Sequence, residues 1–418
     1  MRLTAFALLS VVFLDIMSQG LVIPILNTVI MEPSQPFLPT GTSVNSRQFD
    51  FGLVMGIFFL CWFLGAAYIS KLSDSIGRKE GILVCLVGNL IGYGLTILAL
   101  EVNSFWLLCV ARGISGFTAG NQPIAQAALV DMSENDQQKT RFMGLVLAAL
   151  SLGLVAGPLI GGVLSDKALI GDLASVELPF YFVSLLVVLN ILLIWFCFHN
   201  RSCEKEAFRF KPWEAFLTLY QAARHKTVLR ISIVFFWSQL ALNSFFVFLD
   251  TYLFRRFQFD TLENSFALIV LGAAMGLASA FLVPIVMKRL GSLTIVCGSL
   301  LIMMASAAAF VVNGSPVVAY LLIVPFMVAF ALNYPTMLTL FSLAVDERQQ
   351  GWVMGVTVAL FTLGAGIISV IGGRLMAVSI HLPFMISVGS LVIALLLILL
   401  FWRTKDMRDL LMRSAHNT

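Results

Sequence analysis

Asp15 stands about 11 residues into an apolar run at 4–30. At a rise of about 1.5 Å per residue, that puts its carboxylate near the middle of a bilayer-spanning helix. An ionised carboxylate is costly at that depth, so it must face a cavity, pair, or bind a proton. Ser18 and Gln19 follow at i+3 and i+4 on the same face, and Gly20 and Pro24 permit local unwinding. Two chemistries fit: Asp15 is a substrate or proton site, or it is a structural carboxylate bonded to a neighbouring helix. Arg112 is the one base inside an apolar run, followed by the amides of Asn121, Gln122 and Gln126. A buried guanidinium either tunes a facing acid or meets an anionic substrate, or it is half of a fixed ion pair. In the seventh apolar run Gln239, Asn243 and Asp250 share one helical face at spacings of four and seven. They line a cavity from the second half, or Asp250 sits at the outer mouth beside Arg255 and Arg256. Asn89, Asn190, Asn333 and Tyr334 are weaker candidates.

The elements that position these residues are membrane helices. Of 418 residues, 59 % are hydrophobic and 11 % charged, and mean hydropathy is +0.96. Soluble domains carry about 25 % charged residues. Period-two alternation is absent, which argues against a barrel, and the runs have the length of spanning helices. Twelve spans are predicted, near 4–30, 51–71, 80–100, 104–131, 140–165, 177–199, 228–254, 264–287, 292–312, 316–343, 350–376 and 381–402. A polar stretch at Glu32–Asp50 follows the first. Residues 212–224 suit a short surface helix, with Pro212 in its first turn. The first run holds Asp15 and Pro24 and lacks a small-residue cleavage site, so it reads as a retained helix and not a signal peptide.

Of the 26 lysines and arginines, 20 fall on the side of the N-terminus. The other side holds Arg47, Lys167, Arg255, Arg256 and Arg374. The positive-inside rule therefore predicts both termini, the Ser70–Lys79 turn and the central loop in the cytoplasm. The net charge of +4 then needs no nucleic-acid partner. Cys61, Cys85, Cys109, Cys197 and Cys297 lie in apolar runs and Cys203 in a basic loop, so no disulfide framework or metal site is expected. No nucleotide loop or nucleophile–base pair marks an enzyme, and no cofactor is implied.

The two halves are repeats. A shift of 211 residues aligns Gln138–Leu164 with Gln349–Leu375 at ten identities in 27 positions, among them Gly153 with Gly364 and Gly161-Gly162 with Gly372-Gly373. Gly77 is echoed by Gly291 beside Lys288-Arg289. Both halves begin on the same side, so they are parallel repeats. Transporters built this way hold substrate between the halves near the midplane. In the fifth span Gly153, Gly157, Pro158, Gly161 and Gly162 clear one stripe for close helix packing. The expectation is an all-α polytopic membrane protein with twelve transmembrane helices in two six-helix parallel repeats. Its parts are an N-terminal bundle over 1–199, a cytoplasmic linker over 200–227, a second bundle over 228–402 and a tail over 403–418.

Ser70 to Lys79 resembles the loop motif Gly-x-Leu-x-Asp-Arg-x-Gly-Arg-Lys of the major facilitator superfamily. Asp74, Gly77, Arg78 and Lys79 match, with Ser70 for the first Gly and Ser75 for the first Arg. The Arg112/Gly116/Gly120 pattern resembles that superfamily's second motif, and the Gly-Pro-Gly-Gly stripe is similar to its antiporter motif. Leu14-Asp15…Gly20-Leu21…Pro24 resembles the first helix of tetracycline/proton antiporters. The resemblance implies the major facilitator fold, with Asp74 capping a second-half helix while Arg78 pairs with Asp131 at the inner gate. Tetracycline exporters carry further acids in their third and ninth helices, whereas the stretches around Gly92 and Met304 are neutral. A tetracycline–metal substrate is therefore not carried over.

The reading is a proton-driven antiporter of the inner membrane, exporting a drug or metabolite by alternating access. Asp15, Gln19, Arg112, Gln122, Gln126, Gln239, Asn243 and Asn333 would serve binding, and Asp74, Gly77, Arg78, Lys79 and Asp131 gating. Its partners are a small-molecule substrate, protons and the bilayer, and a monomer is expected. Proton-coupled uptake of a small solute or siderophore, or a non-transporting receptor or scaffold, are the alternatives.

Overall fold

The computed structural model describes residues 2–133, 136–198, 213–346 and 349–416. In chain order the helices of the first half are α1 (Arg2–Met31), α2 (Val44–Ile76), α3 (Arg78–Glu101), α4 (Phe105–Phe117), α5 (Asn121–Asp131), α6 (Asp136–Ser165), α7 (Lys167–Ile170) and α8 (Leu178–Cys197). Then follow α9 (Glu214–Arg224), α10 (Lys226–Phe257), α11 (Thr261–Leu277), α12 (Val283–Met287), α13 (Ser292–Val312), α14 (Pro316–Leu343), α15 (Gln350–Val378), α16 (Leu382–Phe401) and α17 (Lys405–His416). No strand occurs among the described residues.

Eleven of the described helices are long and apolar enough to cross a bilayer, counting α11 and α12 as one through the π-turn at Ala278–Leu282. The expected fourth span, 104–131, is instead two helices, α4 and α5, separated at Thr118–Gly120. Pro123 explains the break. A proline cannot donate to the carbonyl four residues back, and its ring collides with it, so the chain is released at Ala119 and Pro123 sits in the first turn of a new helix. Two other boundaries also move. The charged turn at Ser70–Lys79 narrows to Gly77, with helix up to Ile76 and again from Arg78. Gly77 adopts φ 118°, a conformation that only glycine reaches without strain. The polar stretch 32–50 turns helical at Val44, where Ser43 accepts a hydrogen bond from the Ser46 amide at 3.2 Å.

Enclosure sorts the helices. On α1 every residue from Gly20 to Asn27 is buried, as are Ser238–Phe245 and Val247–Leu253 on α10. By contrast α8 turns Leu185, Leu189, Leu192 and Phe196 outward, and α16 turns Leu396, Leu399 and Leu400 outward. Helices buried all round belong at the centre and helices with bare apolar faces at the lipid boundary. Each half thus packs around its own first helix.

Glycine sets how closely the helices meet. A Cβ at Gly153 or Gly157 would strike the α1 backbone at Phe13 and Met17, and one at Gly162 would strike Ser265 of α11. The related helix α15 does the same: Gly372 lies against Phe248 of α10, while Gly373 meets Gln48 and Gly52 of α2. Each glycine helix therefore binds the central helix of its own half and a helix of the other. The second half is otherwise filled by aromatics: Phe245 stacks on Phe326 at 4.2 Å and meets Phe310 and Phe384 edge-on at 5.0 and 5.4 Å. At the Gly77 end α9 lies against both halves, with Phe63 of α2 edge-on to Phe216 at 5.4 Å and Ala215 buried beside Ala359 of α15. Pro212 lies outside the described residues.

Gly144 and Gly157 share α6, yet an added methyl meets nothing within 4 Å at Gly144. Gly157→Ala should lower stability by about 1–3 kcal/mol through overpacking, while Gly144→Ala should be neutral or stabilising. Apparent melting temperatures of the two purified variants check this, and equal shifts would refute close packing at Gly157.

Candidate functional site

The break between α4 and α5 opens onto Asp15. The Asn121 side chain, at the start of α5, lies against the Asp15 carboxylate, and Oδ2 of Asp15 has no hydrogen-bond partner. Irregular backbone at membrane depth is tolerated where it lines a cavity. A helix N-terminus also carries partial positive charge, so α5 presents a favourable end to an acid. Thr118 holds the break in place, bonding Ile114 O at 2.9 Å and Asn89 Oδ1 at 3.2 Å.

Around Asp15 is a small cavity with room for about one water molecule. Helix α1 supplies Asp15, Ser18, Gln19 and Val22; α2 supplies Phe58; α3 supplies Asn89 and Tyr93; α4 supplies Arg112 and Ser115, with Ala119 from the break. All of these belong to the first half. Gly88 and Gly92 let α3 approach Thr118 and Ser115, since a Cβ at either would collide there. The polar wall is therefore built by the same close packing that holds the half together.

Arg112 is buried, with its guanidinium 4.2 Å from the centre of the Phe58 ring and Nε without a partner. Among the described residues it forms no salt bridge with Asp15. The ring face attracts the cation, so base and acid share one cavity without neutralising each other. Tyr93 lines the same cavity, with its hydroxyl against Ser18.

A model of the Major Facilitator Superfamily matches residues 8–369. The chain belongs to that superfamily. It is 28 % identical over 370 residues to the tetracycline resistance protein class D of Salmonella ordonez, covering 87 % of each. It is 24 % identical over 407 residues to the quinolone resistance protein NorA of Staphylococcus aureus (strain MSSA476), covering 94 % of this chain and 95 % of that one. The solved structure of the human organic anion transporter MFSD10 superposes with a TM-score of 0.73 at 20 % identity, covering 95 % and 99 %. The D-xylose–proton symporter does so with 0.71 at 14 %, covering 96 % and 97 %. The fold is the major facilitator fold, and the protein is a multi-pass membrane transporter, not an enzyme.

Within this major facilitator chain the candidate residues fall in several places. Asp15, Gln19 and Arg112 line the cavity; Gln122 and Gln126 do not, and are half-buried on α5. Gln239, Asn243 and Asn333 are buried in the second half, away from that cavity. Asn243 donates to Gln239 O on its own helix at 2.8 Å, and Asn333 donates to Ser299 Oγ at 3.0 Å. At the Gly77 end Arg78 Nε lies 3.4 Å from Asp131 Oδ2, and Lys79 Nζ donates to Trp195 O at 2.6 Å. The Asp74 side chain lies outside the described residues. Gly153, Gly157 and Gly161 lie against α1, as does Pro158 through Gly20, while Gly162 lies against α11. Phe58, Tyr93 and Ser115 were missed by the sequence reading. A glycine four residues before Gly92, facing the polar fourth run, is the signal that pointed to that wall.

If the Phe58 face holds the guanidinium, Arg112→Gln and Phe58→Leu should be coupled by about 1–2 kcal/mol in a double-mutant cycle on stability. A coupling near zero would mean that Arg112 is held by something else.

Proposed function

We propose that this transporter is a proton-coupled antiporter that exports a small organic molecule by alternating access, with Asp15 binding the proton or the substrate. The observation that carries the reading is the Asp15 carboxylate, buried at a broken helix with an unbonded oxygen and, in the same cavity, a guanidinium that forms no salt bridge with it among the described residues. A fixed structural acid would be bonded out; a group that must take up and release a proton needs an unfilled site. The curated relatives point the same way, being drug-resistance proteins by name. Arg112 tunes the acid, with Gln19 beside it; Gln122, Gln126, Gln239, Asn243 and Asn333 join the binding surface once the halves part. The cavity is far smaller than a drug, so transport requires the halves to move.

Units at 1–199, 200–227, 228–402 and 403–418 fit this cycle as rocking bundle, linker, rocking bundle and tail. The basic residues favour both termini in the cytoplasm, and the bacterial drug-resistance relatives fit a place in the inner membrane. Arg78 with Asp131, and Asp74, Gly77 and Lys79 around them, form the inner gate. The protein acts as a monomer on small molecules and protons, without a nucleic-acid partner.

The test is proton flux in proteoliposomes under an imposed pH gradient, with a fluoroquinolone as the probe. Wild type should move protons when the probe is added, and Asp15→Asn should reduce that flux to background. Equal flux in the variant would make Asp15 structural and remove the reading.

A further inference from the structure

We infer that Asp250 is a second proton-binding site, set in the seam between the two halves, and that its proton-loaded form holds the outward end of the transporter shut. Asp250 lies on α10 near the end opposite Gly77, at 1 % exposure. Neither carboxylate oxygen has a hydrogen-bond partner. The side chain beside it is Asn27 of α1, itself buried. Asn27 Oδ1 also accepts a hydrogen bond from Thr251 Oγ1 at 2.9 Å. Three buried polar side chains thus meet across the seam, two from the second half and one from the first.

Charged side chains on the surrounding elements lie against other groups. Arg47 of α2 bonds the Ile30 carbonyl at 2.8 Å and is the charge nearest Asp50. Arg255 reaches the Met376 carbonyl at 3.5 Å, and Arg374 of α15 lies over the Phe49 ring at 4.6 Å. Arg256 lies near Tyr252 and His381. On α11 Glu263 closes a capping box with Asp260. None of them pairs with Asp250 among the described residues.

A buried carboxylate with no cation beside it cannot stay ionised in such a place. It keeps a proton or the seam parts and water reaches it. The neutral acid fits, since Asn27 offers both an amide donor and a carbonyl acceptor. Closing the outward end therefore requires Asp250 to carry a proton taken from the outer water, and losing that proton favours the open seam. The site needs alternating access by the two halves but not Asp15, so the two proposals stand or fall separately.

The seam can be read by pulsed electron paramagnetic resonance between nitroxides on Thr40→Cys and Gly314→Cys, both at exposed positions of that end. The six native cysteines are replaced by alanine and the full chain is held in nanodiscs without substrate. Between about pH 5 and about pH 9, wild type should pass from a short to a longer distance. Asp250→Asn should stay short throughout, and Asp250→Glu should restore a step. Thr251→Val, which removes only the neutral bond, should lengthen the population at every pH and keep the step. His381, held below its ordinary value by burial and by Arg256, is the competing sensor, and His381→Gln should keep the step. Asp15→Asn should also keep it, whatever happens to its proton flux. A wild type without a step, a step surviving in Asp250→Asn, or a step lost in His381→Gln overturns the assignment.

Discussion

A carboxylate at membrane depth must be walled from lipid on every side, and the first half is arranged around that need. Asp15 sits on a helix buried all round from Gly20 to Asn27. Four helices close over it, and three of the contacts depend on glycine: Gly88 and Gly92 bring α3 onto α4, and Gly116 brings α4 onto α2. Polar side chains then reach the acid from α3, α4 and the start of α5. Replace those glycines with larger residues and the helices separate; the polar wall separates with them. Packing and chemistry in this half are one arrangement.

The second half solves the packing problem differently. Its centre is filled by Phe245, Phe310, Phe326 and Phe384, and Asn243 and Asn333 bond within the half. Aromatic rings fill volume well and pack in offset or edge-on pairs. Two repeats related in sequence are thus filled differently, one around a polar cavity and the other around stacked aromatics.

Much of this was legible in the residues. Ten identities between Gln138–Leu164 and Gln349–Leu375 mark α6 and α15 as equivalents, and the structure gives both the same dual packing. Asp15 and Arg112 stand out because charge in an apolar run is expensive. The break at Thr118–Gly120 was overlooked, although Pro123 announces it, because hydropathy averages across a kink. Phe58 and Tyr93 were hidden for another reason: an aromatic in an apolar run looks like packing until a guanidinium is found on its face. Gln239, Asn243 and Asp250 left a different question open. Their spacing gives one helical face, but spacing does not say whether that face meets a cavity or a neighbouring helix.

The dual contact of the glycine helices also bears on how such a chain can diverge. On α6, Gly157 fits its own bundle and Gly162 fits the opposing one, five residues apart on a single rigid rod; Gly372 and Gly373 do the same on α15. A substitution anywhere along either stripe alters the assembly of a half and the sliding of the halves together. These two helices are therefore poor places for a lineage to explore new cargo. Novelty has freer ground at side chains that lie off both stripes.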